Sequence, residues 1–100
     1  MSVQLAKVGT STSVVLGGDL DALTAPELDG IIGGVIALDD GSVTVDLSGL
    51  GFMGAAGARS LLSAHRELTE VGRKLDLIDA PPTVARLLAI VGLQVVETLP

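Results

Sequence analysis

The chain has 100 residues, 48% hydrophobic with 13 further glycines, no cysteine, and a single aromatic residue, Phe52. That is the size of one domain, and its core must be built from Val, Leu, Ile and Ala, which suits helices on a largely buried sheet and excludes disorder. The net charge of −6 offers no basic patch with interleaved aromatics to follow a phosphate backbone, so nucleic-acid binding is not expected.

Val3–Val8 and Ser13–Leu20 read as two strands of a hairpin around the turn-rich Gly9-Thr10-Ser11-Thr12. Thr24-Ala25-Pro26-Glu27 writes a helix start: Thr24 as cap, Glu27 three residues on to complete a capping box, and Pro26 in the first turn. Leu28, Ile31, Ile32, Val35 and Leu38 then recur at helical spacing. Gly30, Gly33 and Gly34 either weaken this helix, by up to about 1 kcal/mol each, or permit close packing on the sheet.

Asp39-Asp40-Gly41-Ser42 is expected to turn, and Val43–Leu47 to form a buried strand followed by a glycine-rich loop. The second helix is predicted from Ala55 to about Val71. Ala58, Leu61, Leu62 and Leu68 share its apolar side, and Arg59, Ser63, Arg66 and Glu70 the polar one. Gly72 is placed as its C′ residue. Lys74–Ile78 reads as a strand, and Asp79-Ala80-Pro81-Pro82 leads into a third helix on Val84, Leu87, Leu88 and Val91, ended by Gly92. Gln94–Thr98 is a candidate edge strand. The order is β-β-α-β-α-β-α-β in one α/β domain over residues 1–100, with a mostly parallel sheet of four to five strands, about three helices and right-handed crossovers.

No segment has the length of a bilayer span, and Met1-Ser2-Val3-Gln4 lacks the basic stretch before a hydrophobic run that marks a signal peptide. A cytoplasmic protein is the expectation.

Gly49-Leu50-Gly51-Phe52-Met53-Gly54 fits G-x-G-x-x-G between a strand and a helix, the place of a dinucleotide fingerprint. It falls mid-chain, there is no second mononucleotide-binding half, and Asp76 and Asp79 lie beyond the usual offset for a ribose acid. A plain turn into the helix is expected, and no cofactor. His65, the only histidine, falls toward the core margin, and no cysteine accompanies it, so no metal site is expected. Asp19 and Asp21 alternate at a strand end, where solvated acids are commonplace. No serine sits in G-x-S-x-G, and no catalytic constellation can be named, so an enzyme is not expected.

Three segments together resemble the STAS domain, the module of sulfate transporters and bacterial anti-sigma-factor antagonists. They are Gly18-Asp19-Leu20-Asp21-Ala22-Leu23-Thr24-Ala25-Pro26-Glu27-Leu28, then Val45-Asp46-Leu47-Ser48-Gly49-Leu50-Gly51-Phe52-Met53-Gly54-Ala55-Ala56-Gly57, and Leu75 through Asp79-Ala80-Pro81-Pro82 to Val91-Gly92-Leu93. The resemblance implies a STAS-type fold and transcription regulation by partner switching. The partner would be an anti-sigma factor of the serine-kinase type, or a related regulatory protein. The family's kinase phosphorylates a serine at the start of the second helix, which ends binding.

Where the family has Asp-Ser-Ser, this chain has Gly54-Ala55-Ala56, so Ala56 matches the phosphoacceptor and has no hydroxyl. The implied docking and switch surface comprises Asp21, Thr24, Met53, Gly54, Ala55, Ala56, Gly57 and Ser60, with Ser60 one turn beyond the acceptor position. A competing expectation is an accessory STAS subunit of a multiprotein complex such as a lipid-transport ATPase. A homodimer is left open.

Overall fold

The computed structural model describes residues 1–38 and 40–96. Five strands and three helices follow in the expected order: β1 (Ser2–Val8), β2 (Ser11–Leu20), α1 (Ala25–Leu38), β3 (Val43–Met53), α2 (Ala55–Glu70), β4 (Leu75–Ile78), α3 (Pro82–Ile90) and β5 (Val95–Val96). The strands lie in one sheet in the order β1-β2-β3-β4-β5, with β1 antiparallel to β2 and all later neighbours parallel. Asp39 of the predicted turn and residues 97–98 of the predicted last strand lie outside the described residues.

The hairpin is tighter than the spacing suggested. Val8 pairs with Ser11, leaving Gly9-Thr10 as the loop. Gly9 takes φ 63, the positive value that a two-residue hairpin asks of its first loop residue.

From β2 onward each strand is joined to its immediate neighbour by a helix. Right-handed crossovers that step in one direction put every helix on the same face. The sheet is therefore buried on one face and not on both. Val14, Leu16, Val43, Val45, Leu47, Leu75 and Leu77 point into a core shared with Leu28, Ile32, Leu61, Leu68, Val84 and Leu88. Alternate residues Val15, Thr44, Asp46 and Asp76 are half-buried on the opposite face.

β3 continues six residues beyond the predicted strand end, through the segment expected to be a glycine-rich loop. The register runs Val15↔Asp46 to Gly17↔Gly49, and Gly18↔Leu50 to Asp19↔Phe52, so β3 carries one extra residue at each of two irregularities. Both break the period-two pattern. Gly49 is needed there, because a Cβ would lie 2.8 Å from the Leu16 carbonyl oxygen. The first two glycines of the G-x-G-x-x-G motif are thus strand residues, with Gly49 set by strand-to-strand approach.

Helix ends follow local chemistry. Gly72 and Gly92 take φ 74 and 87. Arg73 N–H donates to Leu68 at 2.8 Å and Leu93 N–H to Leu88 at 2.9 Å, closing a Schellman turn at each helix. Arg73 has a second role that spacing did not suggest. Its Nε donates to the Gly41 carbonyl (2.8 Å) and its Nη1 to the Ile36 carbonyl (2.9 Å), tying the end of α2 to the last turn of α1 and the turn after it.

Candidate functional site

β2 and β3 end side by side, and each feeds a helix from its C-terminal end, where ligands and partners of open α/β sheets gather. The loop after Leu20 is held by its own side chains. Asp21 Oδ1 accepts from Leu23 N–H (3.0 Å) and Thr24 N–H (3.1 Å). The Thr24 hydroxyl accepts from Asp21 N–H at 2.9 Å, and its one proton faces both the Asp19 carbonyl (2.9 Å) and Asp21 Oδ1 (3.2 Å). The Thr24 N–H first, with the Leu23 N–H and the Thr24 hydroxyl adding to it, holds the Asp21 carboxyl below the usual carboxylate range.

This arrangement corrects the expected capping box. The Thr24 carbonyl does accept the first helical bonds, from Glu27 and Leu28 N–H. Its hydroxyl turns backward to Asp21 and Asp19, so it braces the loop rather than capping the helix. Asp21 and Thr24 are therefore the loop's fasteners.

The start of α2 lies against this loop. Gly54 N–H donates to the Leu20 carbonyl at 2.9 Å, and Gly54 stands at the N-cap in an extended conformation (φ −94, ψ 177) with no side-chain cap. At Gly57 a Cβ would lie 2.6 Å from Leu20 Cγ and 3.0 Å from the Leu20 carbonyl oxygen, so glycine sets how closely α2 seats on β2. Ala55 is exposed, Ala56 half-buried, and Met53 is buried in the core beneath them.

Ala56 borders a groove of about 500 Å³ between α1 and α2, where Arg59, Ser60, Asp29 and Glu67 supply the polar groups. Ser60 is only 9% exposed. His65 sits half-buried farther along α2, as its wheel position suggested. Two side chains that the spacing did not single out complete the surface: Leu23 is 89% exposed and Phe52 54%. Phe52 lies beside Gly54, its ring 3.4 Å from where a Cβ would stand. Leu23 lies in the loop between β2 and α1, and Phe52 near the end of β3, in the segment expected to be a loop. Asp21, Thr24 and Gly54 to Gly57 are brought together, with Ser60 one turn away in the groove.

Among the described residues no group of three or more His, Cys, Asp or Glu could hold a metal ion, and no helix is long and apolar enough to cross a membrane.

A family model described as "Mlab, STAS domain" matches residues 3–99. The chain belongs to the STAS domain family. Solved structures agree on the fold. The anti-sigma factor antagonist SpoIIAA in its unphosphorylated form superposes with a TM-score of 0.79 at 22% identity, over 98% of this chain and 90% of that one. The phosphorylated form of the Bacillus SpoIIAA gives 0.76 at 23% identity, over 91% and 84%. An anti-sigma factor antagonist from Mycobacterium paratuberculosis gives 0.80 at 24% identity, over 91% and 77%. No curated protein matches the sequence. Within this STAS domain, the loop 21–24 lies against the start of α2, with Asp21 fastened in the loop and Asp29 and Arg59 in the groove beside Ala56.

Proposed function

We propose that this STAS domain is an antagonist of an anti-sigma factor or a related cytoplasmic regulatory protein, which docks on the loop 21–24 and the start of α2. The observation that carries the proposal is the composition of that face: Gly54, Ala55 and Ala56 uncharged at the helix start, flanked by exposed Leu23 and Phe52. Apolar anchors beside small residues suit a packed protein interface better than a site of chemistry. Its architecture is that of anti-sigma factor antagonists.

Docking is blind to phosphorylation at position 56. A phosphoserine there would bring a charge of about −1.5 to −2 into a packed interface and have to be desolvated. Alanine offers no acceptor oxygen. Ser60 is a poor substitute, because its burial between α1 and α2 keeps it from a kinase. Partner exchange is then set by abundance or by a competing protein.

The test is a pull-down from the native host, followed by incubation of the captured partner with the domain and Mg-ATP. Capture of a serine-kinase anti-sigma factor, and a complex that survives ATP with no mass change in the domain, is the expected result. A stoichiometric phosphate that dissociates the complex would overturn the insensitivity. Stable co-purification with an ABC-type ATPase would overturn the antagonist role in favour of an accessory subunit.

A further inference from the structure

The sheet has β1 at one edge and β5 at the other, where the described residues are Val95–Val96. β1 offers seven residues, Ser2–Val8, paired to β2 in continuous register, with all but Val3 exposed. It has no proline and no bulge, and Lys7 is its one charged residue, so most devices that blunt an edge are missing.

The tight hairpin fixes which backbone groups face outward. With Val8↔Ser11 closing the two-residue loop as a hydrogen-bonded pair, Ala6, Gln4 and Ser2 turn their N–H and C=O toward β2. Val3 and Leu5, one residue out of phase, turn theirs away from the sheet. Their side chains stand opposite Leu16 and Val14, on the helix-covered face. There β1 runs out beyond the helix layer. Leu5, 55% exposed, meets Gly30, Gly34 and Leu38 of α1 across an apolar shoulder of about 360 Å³. Leu38 is 88% exposed, and a Cβ at Gly30 or Gly34 would touch nothing within 4 Å.

We propose that β1 pairs with β1 of a second copy of this chain, antiparallel about a twofold axis at Leu5, to make one continuous sheet. The edge is complementary to itself. Centred on Leu5, each Leu5 N–H donates to the Leu5 carbonyl of the other copy, and Val3 falls opposite residue 7. Side chains facing the helices in one copy face them in the other, so the two shoulders merge and cover Leu5 and Leu38 from both sides.

Charge favours a second copy at this edge over any other surface. Residues 1–18 hold one charged side chain, Lys7, and no carboxylate, whereas the rest of the chain carries 12 acidic and 5 basic residues. The rest of the surface is net negative, so copies meeting there would on balance repel. At this edge the two lysines lie on opposite sides of the axis, about 13 Å apart along the strands.

The test is sedimentation velocity across a concentration series reaching about 1 mM, where even a weak association is visible. Amide exchange of Val3 and Leu5 is measured alongside. The expected result is a mass rising toward twice the 10.0 kDa of one chain, with both amides becoming protected as it rises. Leu5→Pro removes an outward N–H that β2 does not use, so it stays at one chain mass with an unchanged circular dichroism spectrum. Should that variant fail to fold, Leu5→Lys keeps the backbone and sets like charges on the axis, weakening association about tenfold or more. The proposal is overturned by a wild-type protein that stays monomeric throughout, or by a dimer that persists in Leu5→Lys with the amides of residues 3 and 5 exchanging freely. A strand of a different protein found on this edge overturns it as well.

Discussion

Four helical glycines separate backbone freedom from packing. Gly30, Gly33 and Gly34 lie in the interior of α1, and none has a positive φ. A Cβ built on any of them meets nothing within 4 Å, which decides against close packing on the sheet and for their weakening α1. Alanine at these positions restricts the unfolded chain without crowding the folded one. Gly33→Ala is expected to stabilise the domain by about 0.4–1 kcal/mol. The same gain is available at Gly57, but there the new methyl would stand 2.6 Å from Leu20 Cγ and 3.0 Å from the Leu20 carbonyl oxygen. Leu20 is fully buried, and a backbone oxygen cannot swing aside. Crowding wins, and Gly57→Ala is expected to destabilise by about 1–3 kcal/mol.

Urea titrations followed by far-ultraviolet circular dichroism measure both at low protein concentration. In thermal melts 1 kcal/mol corresponds to a Tm shift of about 4–8 °C for a domain of this size. The two substitutions are chemically identical and both lie in helices, so propensity alone predicts the same sign for each. Opposite signs therefore isolate the contact with Leu20. A Gly33→Ala variant less stable than wild type would refute the open space on that face of α1, and a stabilised Gly57→Ala would refute the close seating of α2.

Arg73→Ala removes two donors from the Ile36 and Gly41 carbonyls and is expected to cost about 1–3 kcal/mol in urea unfolding; Arg73→Lys, without the planar fork, should restore only part of it. For Asp21 the folded pKa lies below the ordinary carboxylate value of 3.8, so its contribution is fully present above that value and is lost as pH falls through the folded value. Asp21→Asn keeps an acceptor oxygen without the charge. The stability gap between wild type and Asp21→Asn, measured by urea titration, should be constant near neutrality and close below pH 3.8; a gap that persists in acid would refute the assignment. Ala56→Asp should raise the stability of the isolated domain by about 0.3–1 kcal/mol, because a carboxylate in the first turn complements the helix dipole. In a binding assay with the captured partner, the same variant should weaken the complex about tenfold or more.

The elements legible in the sequence were those written by neighbours in the chain. Gly72 and Gly92 end their helices where the spacing put them, because a Schellman turn is closed by residues five apart. The end of β3 was not legible. Its extra residues pair against β2, some 30 positions earlier, so the alternation that marks a strand fails at Ser48 while the strand continues to Met53. Arg73 was missed for the same reason, since its carbonyl partners are 32 and 37 residues away. At the candidate site, the resemblance pointed to Asp21 and Thr24 but did not reveal that both side chains are spent on the loop itself. Nor did it give the surface its apolar anchors. Leu23, between β2 and α1, and Phe52, near the end of β3, are left uncovered by the fold, which spacing did not show.

The start of α2 also accounts for how positions 54 and 56 can vary while the fold is kept. Position 56 lies in the first helical turn, where the backbone N–H groups have no intrahelical partner, so alanine, serine or a carboxylate there differ by about 1 kcal/mol at most. Position 54 is equally tolerant. Its φ of −94 suits any residue, and replacing a polar N-cap by glycine costs only a few tenths of a kcal/mol. Gly57, three residues on, has no such latitude, because it sets the distance between α2 and Leu20. The constraint on folding therefore falls on Gly57 and not on positions 54 and 56 of the same turn. A sequence can keep the glycine that seats the helix and vary positions 54 and 56 at little cost to the fold.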